Sequence, residues 1–128
     1  MKRGLLILTF VSVIVLGALH QIGSLFFLYW DIVWFDTFVH FLGGFAVALL
    51  FLWFWYRARA LPSRSRAIFL ALIFVAIVSA GWEVFEYIYD IANPTGGTYQ
   101  VDTLTDLFAD IVGGAIAAFV GTIKKFHV

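Results

Sequence analysis

The chain has no cysteine, and it holds only two prolines and one methionine among its 128 residues. The lack of cysteine excludes disulfides and thiolate metal sites, and it leaves the redox compartment open. Charged residues are also scarce at 12%, whereas 63% of the residues are apolar. A soluble globular domain is roughly half apolar, so the composition excludes that class. The length corresponds to a single domain, residues 1–128.

Basic residues are missing from every part of the chain that holds acids. The bases are Lys2, Arg3, Arg57, Arg59, Arg64, Arg66, Lys124 and Lys125. The acids are Asp31, Asp36, Glu83, Glu86, Asp90, Asp102, Asp106 and Asp110. Apolar stretches at about 4–28, 37–56, 67–89 and 103–123 separate the two sets. By the positive-inside rule, the bases mark the cytoplasmic side of a membrane and leave the acids on the opposite side.

Each apolar stretch is long enough to cross a hydrocarbon core of ~30 Å as a helix. Helices are required because an open strand cannot satisfy its backbone in lipid. The predicted fold is therefore all-α, a four-helix transmembrane bundle of two in-out-in hairpins in the plasma (inner) membrane, with both termini cytoplasmic. Lys2-Arg3 before an apolar run resembles a signal peptide. However, no small-x-small cleavage site follows it, so we expect an uncleaved first span.

The second and fourth spans share a pattern of polar residues and paired glycines at a constant offset of 70 residues. The matched positions are Asp36 with Asp106, His40 with Asp110, Gly43-Gly44 with Gly113-Gly114, and Ala48 with Ala118. Both hairpins have the same orientation, so the pattern indicates a parallel internal repeat about an axis along the membrane normal. Small residues allow helices to approach closely in membranes. We therefore expect the paired glycines at helix crossings.

Two acids of the third span argue most strongly for a functional site. Glu83 and Glu86 lie near a helix C-terminus, where the macrodipole disfavours anions. They also lie in apolar sequence, where carboxylates are costly and usually functional. Asp36 and Asp102, in contrast, occupy positions expected for N-caps. At ~1.5 Å per residue, three spans bring one set of side chains to a similar depth. The set is Asp36, His40, Glu83, Glu86, Asp106 and Asp110.

Carboxylates with one imidazole suit a divalent ion such as Mg, Mn or Zn, and we predict these six residues as its ligands. Several carboxylates could hold two ions for metal-assisted chemistry. Glu83 and Asp106 are the predicted catalytic carboxylates, one of them a general base, acting on or binding a lipid-linked or cell-envelope substrate. The alternatives are a cation- or proton-coupled transport subunit, which would need a homodimer, and a non-catalytic scaffold. Membrane lipids are expected partners and nucleic acid is not. His20 and Gln21 suit packing or hydrogen bonding.

The combined motifs resemble a known family. They read Asp36-x-x-x-His40-Phe41-x-Gly43-Gly44, Trp82-Glu83-x-x-Glu86 and Asp102-Thr103-x-x-Asp106-Leu107-x-x-Asp110-x-x-Gly113. This pattern, from roughly Asp36 to Gly121, resembles the YjdF-like family of small bacterial membrane proteins and, more distantly, the VanZ-like proteins. The resemblance implies a membrane location and a shared polar site rather than a particular reaction. VanZ-like chains typically carry Lys and Asn where this chain has Thr37 and Asp110, so a glycopeptide-related role is not transferred.

Overall fold

The computed structural model describes residues 3–58, 63–89 and 98–123, and over these ranges the chain is helical and contains no strand. The helices are α1 (Arg3–Leu25), α2 (Leu28–Asp31), α3 (Phe35–Ala58), α4 (Arg64–Ile88) and α5 (Tyr99–Gly121). All of these except the short α2 are long and apolar enough to cross a membrane. The predicted four-helix transmembrane bundle is confirmed. Of the residues discussed above, Lys2, Arg59, Asp90, Lys124 and Lys125 lie outside the described residues.

The first span ends three residues earlier than predicted because the chain turns after α1. Phe27 adopts a left-handed backbone conformation with φ of 58°, which is rare for a bulky residue. The short helix α2 then returns the chain toward α3. Its Tyr29 ring packs edge-on against Phe35, with 4.9 Å between the ring centroids. Gly23 of α1 faces both rings, so this aromatic pair closes the hairpin between α1 and α3.

Hydroxyl side chains cap α4 and α5. The Ser63 hydroxyl accepts a hydrogen bond from the Arg66 backbone N–H at 3.4 Å, and the Thr98 hydroxyl accepts one from the Val101 N–H at 3.3 Å. Because Thr98 caps α5, Asp102 lies within its first turn. Asp36 likewise lies inside the first turn of α3. The N-cap interpretation of these two acids is therefore wrong, and their carboxylates project from helix faces.

Helices α3 and α5 run parallel and form the centre of the bundle, with the most extensive packing of any described pair. His40 contacts Asp110 near the start of both helices, and Leu52 packs beside Gly121 near their ends. Helix α1 packs on α3, whereas α4 packs on both α5 and α3. The half of the bundle near the C-terminal ends of α3 and α5 holds an apolar core. It comprises Leu5, Ala48, Leu49, Leu52, Tyr56, Ala67, Ala71, Val75, Ala117 and Ala118.

The paired glycines lie at helix crossings, as predicted. A Cβ added to Gly44 would overlap the backbone of Asp110, and one added to Gly113 would overlap the Phe41 carbonyl. Gly114 instead faces Val75 of α4, and a Cβ added to it would lie 3.0 Å from the nearest atom of that side chain. The contact between His40 and Asp110 joins positions 70 residues apart, as a parallel repeat would. The repeat itself stays a prediction.

The structure separates the described charges between the two ends of the bundle. Arg3, Arg57, Arg64 and Arg66 lie at the end that we call the basic end, and all described acids lie at the opposite, acidic end. Arg64 donates from Nε to the Thr122 hydroxyl at 3.2 Å, and its guanidinium lies 4.4 Å from the centroid of the Phe119 ring. The segregation seen along the chain is therefore also a segregation in space.

Candidate functional site

The six predicted site residues converge at the acidic end, between α3, α4 and α5. Ligand atoms of one group, with members on all three helices, lie within 4.8 Å of one another. Its members are His40, Glu83, Glu86 and Asp106. A second group, within the same limit, is formed by Asp36, Asp102 and Asp106. Asp106 belongs to both groups, and Asp110 joins them through His40.

His40 lies at the centre of the cluster and is only 7% exposed. Its Nδ1 is 3.0 Å from Oδ2 of Asp110. On the other side of the ring, Nε2 is 3.5 Å from Oδ2 of Asp106 and 3.8 Å from Oδ1 of Asp36. The imidazole therefore links carboxylates of α3 and α5, with one nitrogen toward Asp110 and the other toward the remaining acids.

Asp110 is engaged from two other helices. The Ser79 hydroxyl of α4 donates to the same Oδ2 that contacts His40. Asp110 lies outside both groups of converging ligand atoms. Ser79 was not predicted from the sequence. It lies four residues before Glu83, a spacing that places both side chains on one helix face, so periodicity contained the signal.

Asp106 and Glu83 combine deep burial with missing hydrogen bonds. Asp106 is 1% exposed and Glu83 is 6% exposed. Within the described part of the chain, neither carboxylate oxygen of Asp106 has a hydrogen-bond partner, nor does Oε1 of Glu83. A buried charge is very costly unless it is paired. His40 is the only described base within ion-pair distance of the carboxylates, and it cannot neutralise all of them.

Neighbouring polar groups fix the end of α4 against this cluster. The indole of Trp82 donates from Nε1 to Oε1 of Glu86 at 2.9 Å. The phenol of Tyr99 in α5 donates to the backbone carbonyl of Glu83 at 3.1 Å. The contact from Tyr99 joins α5 to the end of α4, whereas the contact from Trp82 lies within α4 and orients the Glu86 side chain.

A cavity of about 710 Å³ opens beside the cluster. Helices α1 and α4 form its two sides, and α3 lies behind it. Asp36, His40, Glu86, Asp102 and Asp110 line it at the acidic end, whereas its deeper walls are mainly aliphatic. The aliphatic lining residues include Val13, Leu16, Val39, Val47, Val75 and Val78. The cluster therefore lies at one end of a largely apolar space.

His20 and Tyr29 lie at the mouth of this cavity. His20 Nδ1 is 2.8 Å from the Tyr29 hydroxyl, so the hydrogen bonding expected for His20 is present. Burial, and then the charges of Asp36 and Glu86, raise the pKa of Tyr29 to about 12. The phenol therefore keeps its proton at neutral pH and can donate a hydrogen bond. No sequence motif links this pair, because the turn at Phe27 brings them together.

Residues 3–125 match the family described as "Predicted membrane protein (DUF2238)". The chain belongs to this family, which is the YjdF-like family indicated by the motifs. The match agrees with a multi-pass membrane protein, and it gives no support to the more distant VanZ-like resemblance. No curated protein and no solved structure matches the chain.

Proposed function

We propose that this DUF2238 protein binds one or two divalent metal ions at its acidic end. The observation that carries the proposal is Asp106, a carboxylate that is 1% exposed, has no hydrogen bond among the described residues, and belongs to both groups of converging ligand atoms. Intramembrane carboxylates are costly and mark functional sites. A bound cation would supply the positive charge that the acidic end lacks.

The donor atoms suit a metal in spacing and in type. Atoms on opposite sides of a Mg²⁺ bound at ~2.1 Å lie ~4.2 Å apart, and each group already falls within 4.8 Å. Oxygen ligands favour Mg²⁺ or Mn²⁺, and the one imidazole also suits Zn²⁺. We assign one ion to His40, Glu83, Glu86 and Asp106, and a second to Asp36, Asp102 and Asp106.

Asp110 is proposed as the residue that orients His40, although the sequence predicted it as a ligand. Histidines that bind metals usually donate their other ring N–H to a carboxylate or carbonyl, which fixes the ring. The contact from His40 Nδ1 to Asp110 has this geometry, and Ser79 holds the same carboxylate oxygen. Nε2 is then left to face Asp106 and Asp36.

The finer proposal is metal-dependent chemistry on, or binding of, a lipid-linked or cell-envelope substrate. Asp106 would contribute to both ions. Oε1 of Glu83, which has no hydrogen bond among the described residues, would act as general base. The cavity beside the cluster offers room for an apolar part of such a substrate. From the distribution of the eight bases, we propose that both termini are cytoplasmic and that the acidic end faces the opposite side of the plasma membrane.

The transport alternative has less support from the packing. A cation or proton pathway needs ionisable groups through the membrane. In the half of the bundle near the basic end, the buried described residues include no carboxylate and no histidine. The core there is almost entirely aliphatic. The cluster is thus open at one end and closed by packing at the other, which favours a site over a pathway.

Metal binding to the purified protein tests the proposal. The protein would be stripped with EDTA in detergent and titrated with Mn²⁺ by calorimetry. We expect Glu83→Gln to abolish one ion, Asp102→Asn to abolish the other, and Asp106→Asn to abolish both. The control is Asp31→Asn, an exposed acid of α2 at the same end, which should bind like wild type. Wild-type binding by Asp106→Asn, or no Mn²⁺ binding by the wild type, would overturn the proposal.

A further inference from the structure

We infer that the cavity beside the cluster binds the hydrocarbon chain of a lipid whose phosphate headgroup sits on the metal ions. The inference rests on the proposed metal site and names the class of its ligand. Three features of the described residues carry it: the length of the cavity, the position of its polar end, and the open space at Gly17.

The cavity is elongated along the bundle. On α3 its lining extends from Asp36 to Val47, which is about 16 Å of helix at 1.5 Å per residue. That length is close to half of a hydrocarbon core of ~30 Å. A chain that starts at the carboxylates and follows α3 would therefore reach about the middle of the membrane.

The polarity of the cavity matches that of a lipid in one leaflet. Its charged lining residues lie at the acidic end, and its aliphatic lining on α1, α3 and α4 lies deeper. A lipid places its headgroup at the membrane surface and its chain toward the centre in the same order. Its volume of about 710 Å³ falls within the ~300–1,000 Å³ of typical ligand pockets. A water-soluble substrate would leave the long apolar part unused.

Phosphate is the headgroup chemistry that a metal-loaded cluster selects. The carboxylates alone repel an anion, whereas Mg²⁺ in proteins is commonly held by one or two carboxylates together with substrate phosphates. The Tyr29 hydroxyl and the His20 imidazole also line the cavity. Their mutual hydrogen bond uses one donor and leaves the other free to donate to a phosphate oxygen. Headgroup binding should therefore depend on the metal, and chain binding on the cavity.

Two glycines provide a matched test of the cavity. A Cβ added to Gly17 or to Gly81 would meet no atom within 4 Å, so the protein has space for a side chain at either position. Gly17 lines the cavity, whereas Gly81 is not among its lining residues. Gly17→Phe therefore places a ring inside the cavity, and Gly81→Phe adds the same ring elsewhere. Leu16→Trp is a second variant on the same wall, should Gly17→Phe fail to fold.

The probe is hexadecyl monophosphate with a photoreactive diazirine on its chain, added to EDTA-stripped protein with and without Mn²⁺. With Mn²⁺ we expect labelling of wild type and of Gly81→Phe at the cavity walls of α1 and α4. Labelling of Gly17→Phe should fall by roughly tenfold or more, the scale at which apolar pockets discriminate ligands by shape. Omitting Mn²⁺ should abolish labelling, and Mn²⁺ binding by Gly17→Phe should equal that of wild type.

The outcomes separate this inference from the proposed function. Equal labelling of Gly17→Phe and Gly81→Phe, in protein that binds Mn²⁺, would overturn the cavity assignment and leave the metal site intact. Equal labelling with and without Mn²⁺ would overturn the inference that the metal ions bind the phosphate headgroup. A wild type that binds no Mn²⁺ would instead refute the proposed function, and the inference with it.

Discussion

The two halves of this bundle use the same central helices for opposite purposes. Near the basic end, Leu5, Leu49 and Leu52 are fully buried around Gly121, and their close packing stabilises the fold. Near the acidic end, Asp106 is buried as deeply but lacks any hydrogen bond among the described residues. Proteins tend to break packing and pairing rules at functional sites. The contrast therefore supports the proposal of a functional site near the acidic end and a structural core near the basic end.

The glycine crossings mark the border between these halves. At Gly44 the backbone of α5 approaches α3 so closely that no side chain fits. The carbonyl at this contact belongs to Asp110, whose carboxylate contacts His40. Close helix packing at Gly44 therefore constrains the position of Asp110, and with it the carboxylate at the acidic end.

The largest expected effect is a loss of stability when the core near the basic end is altered, with no effect on metal binding. Leu52→Ala should lower the free energy of unfolding by about 2–5 kcal/mol, because it leaves a cavity in a packed core. Denaturant unfolding in micelles would measure this loss, and Mn²⁺ calorimetry should show unchanged affinity. Leu50→Ala is the control, since Leu50 is 37% exposed on the same helix. A large loss of Mn²⁺ affinity in Leu52→Ala would contradict the assignment of stability and metal binding to different halves of the bundle.

A substitution at the border should affect both halves. Gly44→Ala should destabilise by about 1–3 kcal/mol, the usual cost of overpacking, and should also weaken Mn²⁺ binding because α5 must move at Asp110. Gly43→Ala is the matched control, since its added Cβ would make an ordinary contact at 3.5 Å with Asp110 Oδ1. Thermal melts and calorimetry on the pair would check both effects. Equal behaviour of the two variants would argue against a tight crossing.

A smaller effect is expected from the hydroxyl that holds Asp110. Ser79→Ala should weaken Mn²⁺ binding by ~10-fold, the lower end of the effect of losing a group that orients a metal ligand, because Ser79 acts on His40 through Asp110. The melting temperature should change little. Ser12→Ala serves as control because the Ser12 hydroxyl donates to the Leu8 carbonyl of its own helix at 2.7 Å. Calorimetry would measure the Mn²⁺ affinity of both variants, and Ser12→Ala should bind like wild type. Unchanged affinity in Ser79→Ala would remove Asp110 from its proposed orienting role.

The sequence allowed the polar cluster to be predicted because its signals are local. Asp36 and His40 are four residues apart and share a face, and Glu83 stands out as an acid in an apolar span without a base near it. The offset of 70 residues also matched His40 with Asp110, which contact each other. The four spans followed from hydropathy, although α1 ends three residues earlier and α5 begins four residues earlier than predicted.

Other features depend on packing, which periodicity does not determine. The rotation of each helix about its axis decides that Asp110 faces Ser79 and belongs to neither group of converging ligand atoms. It also decides that Asp102 joins one of them. The turn at Phe27 lies in an unbroken apolar run, so nothing in the sequence predicted the contact between His20 and Tyr29. The cavity likewise arises from the spacing between α1 and α4.

The central claim, that the acidic half trades stability for metal binding, is tested most directly by melting wild type and Asp106→Asn with and without Mn²⁺. Without metal, Asp106→Asn should melt higher, because it removes one of several buried carboxylates that share a single imidazole. At 100 times the dissociation constant, Mn²⁺ should stabilise wild type by about 2.7 kcal/mol for each occupied site and should leave Asp106→Asn unchanged. The difference between the two melting temperatures should therefore shrink or change sign. A variant that melts lower without metal, or that gains as much from Mn²⁺ as wild type, would contradict the account.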